Sequence, residues 1–254
     1  MNDPILPLPT PEVVIFDLDY TLLRPSDQFE ALGYVRTGAR FGLALDAGRW
    51  PQAERAAYTA ARERRERTGL VHDDGLLPVI ARAIIEGLGG GPCGAVDRTA
   101  AAIIVAWSKA ENFGLYDDVL PCLEVLRGAG VRMALLSNAL GHGLEETVAH
   151  FALEGYVDAA VSSVETGAVK PAPRMFSALL GLLGVAPAAA VMVGDSVEDD
   201  VEGAVACGCG AILYLGYDFV DGRGARAGRS PWDALVRAAA VAPAAGSPGP
   251  GLFR

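Results

Sequence analysis

Val13-Val14-Ile15-Phe16-Asp17-Leu18-Asp19-Tyr20-Thr21 is the stretch on which the reading of this chain turns. Its first four residues are apolar, largely β-branched and closely preceded by Pro11, which is the pattern of a short buried strand. At the carboxyl end of that strand stand two acids two residues apart, followed by a hydroxyl. In an open parallel sheet the ligand crevice lies outside the carboxyl ends of the strands, so these groups are placed to point into a site. A carboxylate there can act as a nucleophile and form an aspartyl-phosphate. A second acid can protonate a leaving oxygen and then serve as base toward water. An Asp pair after a strand is also a turn or a helix N-cap, so the pair needs support from elsewhere in the chain.

Further apolar runs with strand character occur at 131–136, 159–161, 190–193 and 211–215, separated by helical patterns at 119–128, 143–151, 173–183 and 199–206. Strands alternating with helices of this length imply parallel βαβ units and a doubly wound sheet. The strands are too apolar to alternate, as expected when helices cover both faces. Between 24 and 116 the rhythm breaks, and only helical periodicity remains, at 26–45, 51–68, 73–87 and 95–112. Pro51 suits a first helical position, and Gly89-Gly90-Gly91-Pro92 is a break. The expected architecture is therefore α/β. Residues 1–23 and 117–238 form a Rossmann-like doubly wound parallel core, with an inserted α-helical cap domain at 24–116. The Pro-, Gly- and Ala-rich segment 239–254 is expected to be a loose tail.

With 254 residues, 51% of them hydrophobic, the chain has ample material for a core. No uninterrupted apolar stretch reaches the ~20 residues needed to span a bilayer, so no membrane partner is expected. Met1-Asn2-Asp3-Pro4 lacks the basic stretch of a secretory signal, and the expectation is a cytoplasmic protein. A net charge of −10 and a pI near 4.8 argue against a nucleic-acid partner, whose binding rests on clustered Lys and Arg. Cys93, Cys122, Cys207 and Cys209 are too few and scattered for a disulfide framework; Cys207-Gly208-Cys209 reads as small buried residues beside glycine. Arg62-Glu63-Arg64-Arg65-Glu66-Arg67 reads as a solvated helix face laced with ion pairs. His72 and His142 are expected to be exposed, without partners that suggest a ligand role. Only two of the 21 basic residues are lysines, Lys109 and Lys170, so each lysine deserves separate consideration.

Three more clusters have chemical content. Leu135-Leu136-Ser137-Asn138 ends a strand with a hydroxyl and an amide, which suit either a phosphate oxygen or a turn. Lys170 stands before the rigid Pro171, fixing an ammonium where it can neutralise both a carboxylate and an incoming phosphate. Gly194-Asp195 ends another strand, with Asp199 and Asp200 opening the next helix. Hard oxygen ligands of this kind suit Mg²⁺, while Glu198 suits the positive end of the helix dipole.

Together the clusters resemble the haloacid dehalogenase superfamily, whose four signatures occur here in the same order between residues 13 and 216. They are DxDx[T/V] at Asp17, Asp19 and Thr21; the strand-terminal hydroxyl at Ser137; the lysine of a GxxKP-like segment at Lys170; and the acidic GD pattern at Asp195. The last continues to Asp199 or Asp200, with Gly203-Ala204 favouring Asp200. Tyr20 replaces the glycine common at its place, where a bulky ring would narrow the site. The resemblance implies a phosphoric monoester hydrolase, a Mg²⁺-dependent phosphatase of a small phosphorylated metabolite. By the same resemblance, Asp17 is the nucleophile and Asp19 the acid and base. Lys170, Thr21, Ser137 and Asn138 contact the phosphoryl group, and Asp17, Asp19, Asp195 and Asp200 serve the metal. The cap is implied to close over the substrate and exclude water.

Rival readings remain within the resemblance. A 2-haloacid dehalogenase lacks an acid where Asp19 stands. A phosphonoacetaldehyde hydrolase needs a cap lysine, for which Lys109 is the only candidate. A phosphomutase keeps all four signatures. A non-catalytic phosphate-binding regulatory protein is the reading from another class. Oligomeric state has no signature in the sequence.

Overall fold

The computed structural model describes residues 11–69, 75–91, 93–138 and 141–213. The expected tail, His72 and the last residues of the 211–215 run lie outside the described residues. Along the chain run β1 (Val13–Phe16), β2 (Leu23–Pro25), α1 (Ala31–Ala39), α2 (Trp50–Thr68), α3 (Leu76–Gly87), α4 (Gly94–Trp107) and β3 (Phe113–Leu115). These are followed by α5 (Val119–Gly128), β4 (Arg132–Ser137), α6 (Leu144–His150), β5 (Ala159–Ser162), α7 (Ser163–Thr166), α8 (Pro173–Leu183), β6 (Ala190–Gly194), α9 (Gly203–Ala206) and β7 (Gly210–Leu213).

Five strands form a sheet in the order β5-β4-β1-β6-β7, and all its pairings are parallel. This is the doubly wound α/β fold expected from the sequence. β1 is buried at every position, so both of its faces are covered and its side chains have no reason to alternate. Val13 and Ile15 pack with Ala134, Leu136 and Met192 against Met175, Phe176 and Leu179 of α8. α8 starts at Pro173, which occupies the first turn without costing a hydrogen bond, and stops at Gly184, held at φ 66. The register levels the strand ends: Phe16 lies beside both Leu135 and Val193, and the Asp17 N–H donates to the Val193 carbonyl at 2.9 Å.

The chain divides into two compact units. Among the described residues, one holds 11–24, 115–138 and 151–213; the other holds 25–69, 75–91, 93–114 and 141–150. The last segment of the helical unit departs from the sequence expectation, which gave 117–238 to the α/β core. The reason is local packing. His142, expected to be exposed, is 5% exposed, with its ring 5.1 Å from that of Phe113 and its Nδ1 3.2 Å from the Thr147 hydroxyl. Phe113 belongs with Phe29 and Trp107 to an aromatic cluster with ring centres 4.9 to 5.7 Å apart, the core that 141–150 joins through His142. In the same unit α2 and α3 approach closely where Gly87 faces Ala53, at a distance only glycine allows.

Three expected helices are shorter. The 26–45 pattern becomes a 3₁₀ turn at Asp27–Phe29 followed by α1, and beyond it Gly42 takes φ 84. The 95–112 pattern stops at Trp107, where the Asn112 side chain donates to the Ala106 carbonyl at 2.8 Å and satisfies the helix end. The 199–206 pattern opens as a π-helical turn, Val197–Glu202, before α9. Among the described residues no helix is long and apolar enough to cross a membrane.

Burial sets the thiol chemistry. Cys93 is exposed, whereas Cys122 and Cys209 are buried. Burial, with Asp118 adding to it, pushes the Cys122 thiol up to about 12; burial, with Cys207 beside it, pushes Cys209 up to about 11. A shift of that size leaves Cys122 with about a thousandfold less thiolate at neutral pH. A thiol-titrating disulfide reagent should therefore modify Cys93 at once in the native protein and reach Cys122 and Cys209 only on unfolding. The same shifts fix a sign for pH. An unfolded thiol ionises near pH 9 while the folded one stays protonated, so this stability is full below pH ~9 and is lost as pH rises toward 11–12. Thermal melts from pH 8 to pH 11 should show a falling midpoint, and Cys122→Ala should flatten part of that slope.

Candidate active site

Strand β1 carries Asp17 just beyond its carboxyl end in the middle of the sheet, and the neighbouring β6 carries Asp195 beyond the same end. β1 leads on toward β4 and β5, while β6 leads to β7 on the other side, so these two strands bound the switch point of the sheet. Lys170 reaches the same place from the β5–α8 connection. Its side chain is 2% exposed, and Nζ lies 2.6 Å from Asp17 Oδ1 and 2.6 Å from Asp200 Oδ1. The Thr21 hydroxyl donates to Asp17 Oδ2 at 3.1 Å. The Ser196 N–H donates to Asp200 Oδ2 at 3.0 Å. Asp17, Asp195 and Asp200 have carboxylate oxygens within 4.8 Å of one another.

The widened turn at 197–202 decides between the two neighbouring acids. The Ser196 carbonyl accepts from both the Asp200 N–H at 3.1 Å and the Val201 N–H at 3.2 Å, the mark of a π turn. Asp200 is thereby turned inward, 1% exposed and onto Lys170, while the Asp199 N–H is capped by the Ser196 hydroxyl at 3.1 Å. Two glycines make room. The Asp200 carboxylate lies against Gly194, where any side chain would collide with it. Gly203 lets Pro171 and Phe176 come within 3.0 Å of the place its Cβ would take.

Electrostatics follow from this packing. Burial raises the Asp17 carboxyl well above its usual range; Lys170 pulls it back, and Asp200 and Asp195 push it up further. Burial, reinforced by Asp200, lifts Asp195 to about 6. For Lys170 burial lowers the pKa, but Asp17 and Asp200 outweigh it and the ammonium is held charged. Three carboxylates against one ammonium leave a formal excess of two negative charges in a buried space. Hard oxygen donors with that excess fit a divalent cation such as Mg²⁺.

The other residues named from the sequence fall out differently. Ser137 is buried at the end of β4, and Asp19 is half-buried just beyond β1, paired through its main chain with Leu23. Tyr20, between Asp19 and Thr21, has φ 61, a conformation that costs a non-glycine residue free energy. Thr21, expected on the phosphoryl group, is fully buried, and its hydroxyl donates to the Asp17 carboxylate. Asn138, also expected there, turns its carboxamide onto the Lys170 main chain, accepting from its N–H at 2.7 Å and reaching its carbonyl at 3.4 Å. Lys109 is exposed, 3.9 Å from Glu111. Ser196 escaped notice in the sequence; a serine three residues before an acid is an N-cap signal that would have flagged it.

A family model described as haloacid dehalogenase-like hydrolase matches residues 11–208. The human N-acylneuraminate-9-phosphatase is 35% identical over 108 residues, 42% of this chain and 43% of that protein, so the chain spans less than half the length of that curated relative. The glyceraldehyde 3-phosphate phosphatase of Methanopyrus kandleri is 28% identical over 197 residues, 76% of this chain and 79% of that protein. Among solved structures, the HAD-hydrolase YfnB of Bacillus subtilis, bound to magnesium, superposes with a TM-score of 0.60 at 16% identity, covering 80% of this chain and 86% of that one. At that identity the likeness concerns the fold. Matched from residue 11 to residue 208 and built on the corresponding fold, the chain belongs to the haloacid dehalogenase-like hydrolases.

Proposed function

We propose that this chain is a Mg²⁺-dependent phosphatase that hydrolyses a small phosphorylated metabolite through an aspartyl-phosphate on Asp17. The observation that carries the reading is the setting of Asp17. It is a buried strand-end carboxylate with one oxygen on an ammonium and the other on a hydroxyl, inside a cluster of three acids. Both curated relatives described above are named as phosphatases of small phosphorylated compounds, which supports the substrate class.

Asp17 attacks phosphorus, and the bond from phosphorus to the leaving oxygen breaks. Asp19, half-buried two residues on, gives its proton to that oxygen. The Asp19 carboxylate then takes a proton from water, whose oxygen bonds to phosphorus as the bond from phosphorus to Asp17 breaks, releasing phosphate and freeing the Asp17 carboxylate. Lys170, held charged by Asp17 and Asp200, offsets negative charge on the phosphoryl oxygens, with Ser137 as a hydrogen-bond donor beside it. Asp17, the main-chain carbonyl of Asp19 and Asp195, with Asp200 behind them, would hold Mg²⁺, which would supply the missing positive charge. An acid at position 19 favours this reading over dehalogenation, which needs no proton donor there.

The test is phosphate release from a panel of phosphorylated metabolites with and without a chelator, beside Asp17→Asn. The expected result is turnover that disappears with the chelator and falls by at least about 10³-fold in the variant. Turnover that survives in Asp17→Asn would overturn the proposal.

A second measurement isolates the charge excess. In chelated protein Asp195→Asn removes one of three crowded carboxylates, so its melting midpoint should rise by about 2–4 °C for each kcal/mol of repulsion relieved. Adding Mg²⁺ should then raise the midpoint of the native sequence and leave that of Asp195→Asn nearly unmoved.

A further inference from the structure

The Lys170 side chain is fixed from its far end by two carboxylates. Its near end is fixed by a different device, made by residues outside the acid cluster. Asn138 follows the last paired residue of β4 and brackets the main chain of Lys170. The Lys170 N–H donates to Asn138 Oδ1 at 2.7 Å, and Asn138 Nδ2 donates to the Lys170 carbonyl at 3.4 Å. Asn138 is itself tied down, because the Ser163 hydroxyl at the start of α7 donates to its carbonyl at 2.7 Å. A carboxamide presents one acceptor and one donor side by side, matching a peptide's N–H and C=O. A carboxylate, which only accepts, satisfies half of the pair. Pro171, next in the chain, has no N–H of its own to anchor this segment.

We propose that Asn138 is a positioning residue that acts through Lys170: it locks the lysine's main chain so that Nζ arrives between Asp17 and Asp200, where it offsets charge on the phosphoryl group. It replaces the direct phosphate contact that the sequence suggested for Asn138. The inference rests on the phosphatase reading above, because it concerns the same lysine.

The geometry supplies a test that separates positioning from simple structural support. The two hydrogen bonds reach the main chain of residue 170, so Lys170→Met leaves both in place while removing the ammonium. A cycle of native sequence, Asn138→Ala, Lys170→Met and the double variant is measured for kcat and for melting midpoint. Asn138→Ala should lower kcat by about 10- to 100-fold in the native background, the scale of a displaced catalytic group. In the Lys170→Met background it should change kcat by less than about twofold, since nothing remains to be positioned. The drop in melting midpoint should be the same in both backgrounds. If Lys170→Met does not fold or is too slow to measure, Lys170→Arg is the second background, and a smaller effect of Asn138→Ala there carries the same meaning. Equal fold losses of kcat in both backgrounds would overturn the proposal and return Asn138 to an independent contact with the substrate. Failure of the native sequence to release phosphate from any compound would overturn the phosphatase reading alone. The bracket is then judged by the melts, and an unchanged midpoint in Asn138→Ala overturns it.

Discussion

A buried ammonium between two buried carboxylates is the constraint to which the α/β unit is fitted. Lys170 is 2% exposed and Asp200 1%, so neither charge has water to fall back on. Desolvation of such groups is tolerable only with close partners and with the remaining polar atoms satisfied. Lys170 meets that condition with two oxygens at 2.6 Å, and Asp200 with the Ser196 N–H besides. The arrangement still carries more negative than positive charge, an imbalance that works against stability. Sites of this kind are held in place by the surrounding fold against their own repulsion.

What holds it is the sheet. Three neighbouring strands, β4, β1 and β6, end close together, and Ser137, Asp17 and Asp195 stand at or just beyond those ends. Side chains that enter from ends buried on both faces have little freedom to swing away. The close approaches at Gly194 and Gly203 belong to the same fitting. One makes room for the Asp200 carboxylate. The other lets α9 settle against Pro171, the residue after the lysine. The π turn between them supplies the last adjustment, rotating one of two adjacent acids inward.

The helical unit has its own logic. Its core is aromatic, built on Phe29, Trp107 and Phe113, with His142 against the last. The segment 141–150 joins that core even though it follows closely on a strand of the sheet. Ser137 and Asn138 thus stand where the chain leaves one unit for the other. A residue at such a junction is well placed to act on the lysine only if it is anchored, and the Ser163 hydroxyl anchors it.

The sequence by itself determined the fold class and most of its elements. β1, α5 and α8 fall where their patterns predict, because an apolar run bounded by proline, or a 3.6-residue repeat closed by glycine, is a local property of the chain. It also determined which residue types gather at the strand ends. The sequence also favoured Asp200 over Asp199, but the π turn that rotates Asp200 inward, the service of Asn138 to Lys170, the burial of His142 and the place of 141–150 in the helical unit were decided by tertiary structure. Each depends on groups far apart in the chain, or on a turn of helix wound by five residues instead of four. A linear pattern records which side chains are available; which of them face one another is settled only when the strands are in register and the buried charges have found their partners.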